Sequence, residues 1–226
     1  MAKRKKSPVW VVVGLLIAVA SWCLKNQEEG RNFQSSEVSS FQKTEETQAG
    51  RRTLGEYDIL EGCRLSANRR NDGDSFFVKY AGGESEFRLY FADAPESKYK
   101  EYRGGDSNGK RLGQQGDYFG GLTRSQTTQL GMVAKNYVKK VLSKQPFKVM
   151  TRWEGVYGPE RKYAFVIVQE NGEERFLHEI LVSKGMARIH TKPANLPDGT
   201  RASKQKRKLY KLESEAKKAG RGGWGM

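Results

Sequence analysis

Cysteine and histidine are scarce in this chain of 226 residues, and their scarcity excludes several kinds of site. Two cysteines, Cys23 and Cys63, are too few for a disulfide framework or a cysteine-rich zinc site. The two histidines, His178 and His190, are not paired at the spacing of metal ligands, so we interpret both as structural. No internal repeat is visible, which excludes repeat architectures.

Negative charge is also in short supply. The chain has 41 lysines and arginines against 26 aspartates and glutamates, a formal net charge of +15. Such a surface attracts polyanions, with nucleic acid as the first candidate and an anionic membrane as the second. The charge alone would also fit a basic tail that keeps the protein soluble. Aromatic residues, at 11%, are numerous enough for a packed core.

Long apolar runs are confined to the N-terminus. A basic cluster at residues 3–6 precedes an apolar run at 9–20, which ends in a small-x-small cleavage pattern. Even when extended to residue 24, the run is shorter than the ~20 residues of a typical spanning helix. We therefore predict that residues 1–24 are a signal peptide cleaved near Ala20, with an uncleaved signal anchor as the alternative.

Both alternatives place the bulk of the chain outside the cytoplasm. The protein would be secreted or periplasmic after cleavage, or held at the membrane by its one N-terminal segment. Residues 25–56 are polar and lack apolar periodicity, which predicts a flexible linker. Residues 57–226 then form the folded domain, which we expect to be a monomer.

The folded domain alternates between strand-like and helix-like patterns. We predict strands near 60–66, 75–80, 86–92, 147–153 and 163–168, and helices near 127–143, 178–184 and 200–219. Residues 97–125 are polar and glycine-rich, which predicts a loop without regular structure. Its basic residues would either line a nucleic-acid path or form a solvated surface.

The most informative stretch is residues 71–96, which is typical of two strands joined by a tight turn. Gly82 and Gly83 provide the turn, and residues equidistant from it lie opposite each other in an antiparallel hairpin. With the turn centre near Gly83, Asp74 and Asp93 meet at the open end. Two adjacent carboxylates repel each other unless a cation holds them, and Ca²⁺ prefers all-oxygen ligands.

The residues after Asp93 complete this candidate site. Ala94 precedes a proline, which favours an extended backbone whose carbonyl could be a third oxygen ligand. Glu96 lies close enough to deprotonate a water beside the ion. Asp-Gly-Asp alone is usually a turn, and Asp-Ala-Pro-Glu alone is often a strand exit. Because both flank one hairpin at matched distances, the pattern favours a metal site.

Four motifs, in this order along the chain, resemble the staphylococcal-type thermonucleases. They are DGDS at 72–75, FRLYFADAPE at 87–96, YGPERKYA at 157–164 and HEILVSKGMA at 178–187. The resemblance extends over roughly residues 57–225. It implies an α+β, mainly β fold, in which about three α-helices flank a five-stranded OB-type β-barrel. It also implies a hydrolase, a Ca²⁺-dependent endonuclease that cleaves phosphodiester bonds of DNA and/or RNA.

The resemblance also assigns roles to individual residues. The metal ligands would be the carboxylates of Asp74 and Asp93 and the backbone carbonyl of Ala94. Glu96 would be the general base, and Arg88 and Arg161 would bind phosphate.

The assignments of Arg161 and Arg88 both depend on local structure that the sequence leaves open. Pro159 and Glu160 are inserted relative to the family pattern, which leaves Arg152 or Lys162 as alternatives to Arg161. Regular strand alternation places Arg88 and Asp93 on opposite faces, so a bulge or a sharp bend is needed between them.

A rival hypothesis from another class stays open. The protein would be a catalytically inactive OB-fold module that binds nucleic acid at the cell surface. Such a module needs the arginines but has no use for a paired-carboxylate metal site. A membrane adaptor that binds anionic lipid is supported by the net charge alone.

Overall fold

A computed structural model describes residues 45–47, 51–157 and 160–226. The predicted signal or anchor segment, 1–24, and most of the predicted linker lie outside the described residues. Within the stretch predicted as linker, two strands are present, β1 (Glu45–Thr47) and β2 (Arg51–Leu54). In the described part of the chain, no helix has the length and apolarity needed to cross a membrane.

The main β-sheet closes into a barrel of five strands. These strands are β3 (Tyr57–Leu65), β4 (Ser75–Tyr80), β5 (Gly83–Leu89), β7 (Phe147–Thr151) and β8 (Arg161–Glu170). Their order around the barrel is β3-β4-β5-β8-β7, and a β3–β7 pairing completes the ring. Only β5 and β8 among these neighbours are parallel. This architecture confirms the predicted five-stranded OB-type barrel.

Three short strands extend this architecture. Strand β9 (Glu173–Phe176) pairs with β8, and β6 (Ala92–Asp93) forms a separate ribbon with β10 (Arg188–Ile189). The barrel interior is filled by apolar side chains from every barrel strand. They include Cys63, Phe76, Phe87, Val149 and Val166, all of which are buried.

Among the described residues, four helices and a terminal 3₁₀ turn flank the barrel. They are α1 (Gly109–Tyr118), α2 (Arg124–Lys144), α3 (Leu177–Ser183), α4 (Ala202–Lys218) and the 3₁₀ turn Gly222–Gly225. Helix α2 begins with a capping box between Thr123 and Gln126. The prediction of a structureless loop over residues 97–125 was wrong, because α1 lies inside it. The sequence of α1 hides the helix, since it has three glycines and a single leucine.

The β4–β5 hairpin has a register that differs from the predicted one. Tyr80 pairs with Gly83 and Ser75 pairs with Arg88, so the two-residue turn is centred before Gly83. The backbone carbonyl of Asp74 accepts a hydrogen bond from the amide of Leu89 at 2.9 Å. Hairpin symmetry therefore places Asp74 opposite Leu89, and our reason for expecting it opposite Asp93 was wrong.

A sharp bend brings Asp93 back towards Asp74. Phe91 has a φ of 65°, and the amide of Ala92 donates to the carbonyl of Tyr90 at 2.8 Å. A hydrogen bond to the second residue back, around a positive φ, is typical of a γ-turn. The bend that the sequence required between Arg88 and Asp93 is therefore present, with a phenylalanine rather than a glycine at its centre.

Candidate active site

A cleft of about 510 Å³ opens beside the ends of the hairpin and the start of β8. Four of the six predicted site residues line it, namely Asp74, Arg88, Glu96 and Arg161. Asp93 and Ala94 are buried and do not line the cleft. The structure therefore brings Asp74, just before β4, and Glu96, just after β6, to one concave surface with residues of β5 and β8.

Asp74 and Asp93 converge on the guanidinium of Arg88. The Nη2 atom of Arg88 lies 3.2 Å from Asp74 Oδ2 and 2.6 Å from Asp93 Oδ1. Asp74 also accepts hydrogen bonds from the Ser75 hydroxyl and from the backbone amide of Ala94. A single positively charged nitrogen thus bridges both carboxylates, so one cation can be shared by the pair.

The two carboxylates differ in their electrostatic surroundings. Burial raises the pKa of Asp74 to about 6, an effect that Arg88 opposes and the charge of Asp93 reinforces. Burial alone would also raise the pKa of Asp93, but Arg111, Arg188 and Arg88 outweigh it and hold that pKa below its ordinary value. The three arginines therefore favour the charged form of Asp93, whereas burial favours the protonated form of Asp74.

Two further arginines bind Asp93, and neither was predicted. The Nε atom of the buried Arg188, on β10, donates to Asp93 Oδ2 at 2.6 Å. The Nη2 atom of Arg111, on α1, donates to Asp93 Oδ1 at 2.5 Å. Both residues are remote from Asp93 in sequence, and no local motif marks them. Only the β6–β10 pairing and the position of α1 bring them to the site.

Gln115 of α1 is a third residue that the sequence did not reveal. Its Nε2 atom donates to Asp93 Oδ2 and to the carbonyl of Ala94, each at 3.1 Å. Its Oε1 atom accepts from the backbone amide of Glu96 at 3.0 Å. The side chain is fully buried. One carboxamide therefore contacts three of the predicted site residues.

The carboxylate of Glu96 lies at the edge of the cleft. Its Oε1 atom is 3.0 Å from Arg111 Nε, and its Oε2 atom is 3.6 Å from Lys100 Nζ. Glu96 is therefore oriented by two cations that come from the segment 97–125.

Arg161 lies at the start of β8, where the parallel pairing places it beside Glu86. Its Nη1 atom is 3.5 Å from the Ser75 hydroxyl and 3.9 Å from Glu86 Oε1. The two alternatives suggested by the sequence do not line this cleft. Arg152 instead forms ion pairs with Glu56 and Glu154.

The oxygen atoms at the centre are of the kind that a hard divalent cation prefers. Ca²⁺ takes carboxylate and carbonyl oxygens, and Asp74, Asp93 and Ala94 provide both. Among the residues that the structure describes, no group of three His, Cys, Asp or Glu side chains could hold a metal ion. A Ca²⁺ ion at this site would therefore be held by the two carboxylates that share Arg88 Nη2 and by the Ala94 carbonyl.

The barrel and this centre define an OB-type protein with an acidic pair and several arginines at one cleft. A family model described as staphylococcal nuclease homologue matches residues 86–226, more than half of the chain. The chain therefore belongs to the staphylococcal nuclease homologue family. This membership supports a nuclease-family function on a nucleic-acid substrate, and the resemblance seen in the sequence is confirmed. No curated protein matches the chain.

The matched region includes most of the candidate site but starts after Asp74. Arg88, Asp93, Ala94, Glu96 and Arg161 lie inside it. The assignment of Asp74 depends instead on the hydrogen bonds and ion pairs described above.

Proposed function

We propose that the protein is a Ca²⁺-dependent endonuclease that hydrolyses phosphodiester bonds of DNA and/or RNA. The observation that carries this proposal is the convergence of Asp74 and Asp93 on the same nitrogen of Arg88. Glu96 and Arg161 line the cleft beside that pair. Two carboxylates this close repel each other, and a cation shared between them would reduce that repulsion.

The proposed roles follow from chemical type and position. Asp74, Asp93 and the Ala94 carbonyl would hold the Ca²⁺ ion. When bound, the ion would neutralise a phosphate oxygen and provide a coordinated water. Arg88 and Arg161 would donate to the phosphate oxygens, and their planar guanidinium groups suit this task.

Glu96 would accept a proton from the attacking water. Its carboxylate lies in the same cleft as both phosphate-binding arginines, and Arg111 and Lys100 orient it. Charge that grows on the phosphate oxygens during attack would be stabilised by Arg88 and Arg161. Preorganised donors of this kind are worth about 3–4 kcal/mol each.

A plasmid-degradation assay tests the proposed activity. We expect cleavage with Ca²⁺, and none with a calcium chelator or in the Asp74→Asn variant. Nucleic-acid binding without cleavage in saturating Ca²⁺ would favour the rival proposal of a catalytically inactive OB-fold binding module. That rival is supported by the basic cleft residues but gives no role to the carboxylate pair.

The proposed site of action is outside the cytoplasm. The basic, apolar and small-x-small pattern of residues 1–20 supports this proposal. The mass of the protein isolated from the producing cell tests it. A chain that starts after Ala20 would indicate cleavage, and a full-length chain in the membrane fraction would indicate an anchor. A full-length chain in the cytoplasm would contradict both.

A further inference from the structure

The carboxamide of Gln115 is completely used by the candidate active site. Both hydrogens of Nε2 are donated, one to Asp93 Oδ2 and one to the Ala94 carbonyl, while Oε1 accepts from the Glu96 amide. The amide orientation is fixed, because the flipped group would present its oxygen to two acceptors and its nitrogen to a donor. A buried side chain with this pattern does more than fill space.

The two carboxylate oxygens of Asp93 have different hydrogen-bond partners. Gln115 and Arg188 both donate to Oδ2. Oδ1 is the atom that shares Arg88 Nη2 with Asp74. Holding Oδ2 from the other side therefore turns Oδ1 towards Asp74.

We propose that Gln115 is a positioning residue that sets Asp93, the Ala94 carbonyl and the Glu96 backbone for cation binding and catalysis. This inference rests on the proposed function. It makes α1 part of the active site, although no pattern in its sequence predicts even a helix there. Residues that orient metal ligands in this way typically account for about 10–100-fold in metal affinity or activity.

Only a carboxamide of this length meets all three partners. A methionine would have a similar shape but would leave Asp93 Oδ2, the Ala94 carbonyl and the Glu96 amide without this partner. A glutamate would place an oxygen where Asp93 and Ala94 need a donor, and its charge would repel Asp93. We therefore expect Gln115→Glu to be more damaging than Gln115→Met.

The test compares Gln115→Met and Gln115→Glu with a control variant, both without and with substrate. Calorimetry of the substrate-free protein gives the Kd for Ca²⁺, and steady-state kinetics at saturating Ca²⁺ give kcat and KM. We expect Gln115→Met to weaken Ca²⁺ binding about 10–100-fold and to lower kcat, with little change in KM. Gln114→Met is the matched control, because Gln114 is the exposed neighbour on the same helix.

The outcomes separate this inference from the proposed function. If Gln115→Met lowers the melting temperature but keeps the Kd for Ca²⁺ and the kcat of Gln114→Met, Gln115 only packs α1 and the inference is overturned. If the wild type itself neither binds Ca²⁺ nor cleaves nucleic acid, the proposed function fails and this inference fails with it.

A second cleft, of about 390 Å³, lies between the segment 65–72 and helix α2. It shares Asp72 with the first cleft, so the two clefts adjoin at that residue. Three cations line it, namely Arg69, Lys135 and Lys139. Within the part of the chain that the structure describes, none of the three lies within ion-pair distance of a carboxylate, although the charge of Lys135 acts on Asp72 in the same cleft.

We propose that this second cleft binds the phosphates of a nucleic-acid strand that extends beyond the first cleft past Asp72. Lys135 and Lys139 are one helical turn apart, so they lie on the same side of α2 and can contact the same strand. Contacts of this type are electrostatic and independent of base sequence. The proposal concerns binding alone, and it holds for the nuclease and for the inactive binding module alike.

The test compares two double variants of helix α2 that remove the same charge. Lys135→Gln with Lys139→Gln alters the second cleft. Lys140→Gln with Lys144→Gln is the matched control, because this pair has the same spacing but does not line the cleft. Affinity is measured in chelator, without hydrolysis, for a trinucleotide and for a single strand of about 12 nucleotides.

We expect the first double variant to weaken binding of the longer strand only. The slope of its log affinity against log salt should become shallower by about 0.7 for each lost contact. Equal losses in the two double variants, or an equal loss with the trinucleotide, would overturn the second cleft as a binding site. If the wild type binds no nucleic acid at all, both this proposal and the proposed function fail.

Discussion

The position of Asp93 depends on the backbone of a single residue two places before it. Phe91 has a positive φ at the centre of this γ-turn, a strained backbone conformation for an aromatic residue. Its carbonyl accepts hydrogen bonds from the amides of His190 and Thr191, and its ring stacks on His178. These contacts hold the bend that returns Asp93 to Arg88, so the surrounding fold stabilises a conformation that local preference opposes.

Glu96→Gln is the residue-scale prediction. The substitution keeps the size of the side chain but removes its ability to accept a proton, so turnover should fall about 10²–10⁴-fold. Binding of nucleic acid in the presence of chelator should change little, since Glu96 is not a phosphate donor. Turnover and binding are measured on the same preparation, and equal losses in both would contradict the assignment of Glu96 as the base.

At the scale of elements, the sequence predicted the helices and motifs that are defined by residues close together in the chain. Helix α2 was predicted at 127–143 and spans Arg124–Lys144, because its apolar residues recur at helical spacing. The motif that includes Asp93, Ala94 and Glu96 was recognisable because its residues are consecutive or nearly so. Helix α1 was not, because Gly109, Gly113 and Gly116 weaken its helical propensity and tertiary contacts must stabilise it.

The missed site residues have the same physical explanation. Arg111, Gln115 and Arg188 reach Asp93 only through the packing of α1 and the pairing of β10 with β6. No spacing rule connects residues so far apart in sequence. The turn of the hairpin was misplaced because the adjacent glycines Gly82 and Gly83 allow more than one register.

The Gly131→Ala variant tests how closely α2 approaches the backbone of Pro95 and Glu96. A Cβ at position 131 would lie 2.5 Å from the carbonyl oxygens of Pro95 and Glu96, so α2 or this backbone must move. We expect a lower free energy of unfolding and weaker activity, because Glu96 moves with its backbone. Gly113→Ala in α1 is the control, since its Cβ would meet nothing within 4 Å.

The control should stabilise the protein by up to about 1 kcal/mol, because alanine has the higher helical propensity. Chemical denaturation and a kinetic assay provide the two readouts. If both glycine variants behave alike, the close approach of α2 to Pro95 and Glu96 has no functional consequence.

His178 links α3 to α4 and gives a prediction about pH. Its Nε2 atom accepts from Gln205 at 2.9 Å, because an amide nitrogen can only donate. Burial lowers the pKa of His178 to about 4, whereas the ordinary value is 6.5. Between pH 6.5 and 4 the unfolded chain therefore takes up a proton that the folded protein does not. This uptake removes about 3 kcal/mol of stability as the pH falls through that window.

The comparison with His178→Phe isolates this effect. Asp74 acts in the opposite direction, since its raised pKa lets the folded state bind a proton first as the pH falls through about 6. Asp74 is present in both proteins, so its contribution cancels in their difference. Urea denaturation at pH 7 and pH 4 should show that the wild type loses about 3 kcal/mol relative to the variant. A constant difference would contradict a buried neutral histidine.

At the scale of the whole molecule, the net charge of +15 should make substrate binding sensitive to salt. If only Arg88 and Arg161 contact phosphates of a single strand, log affinity should fall with log salt with a slope of about −1.4. Adding the three cations of the second cleft would bring the slope to about −3.5. Fluorescence anisotropy in chelator between 50 and 200 mM salt, about the range over which such effects are large, measures it. A slope near zero would contradict phosphate contacts as the source of affinity.

The parallel pairing of β5 with β8 has a consequence for the order of folding. It joins Glu86 to Arg161 and Leu89 to Ala164, so the intervening segment must be in place before the barrel closes. Pairings this distant in sequence form slowly, because a long loop loses entropy before any contact compensates it. Arg188 reaches Asp93 from still later in the chain. A chain still emerging from the ribosome thus lacks the assembled centre until Arg188 has been synthesised and released, and whatever chemistry the protein performs is withheld until then.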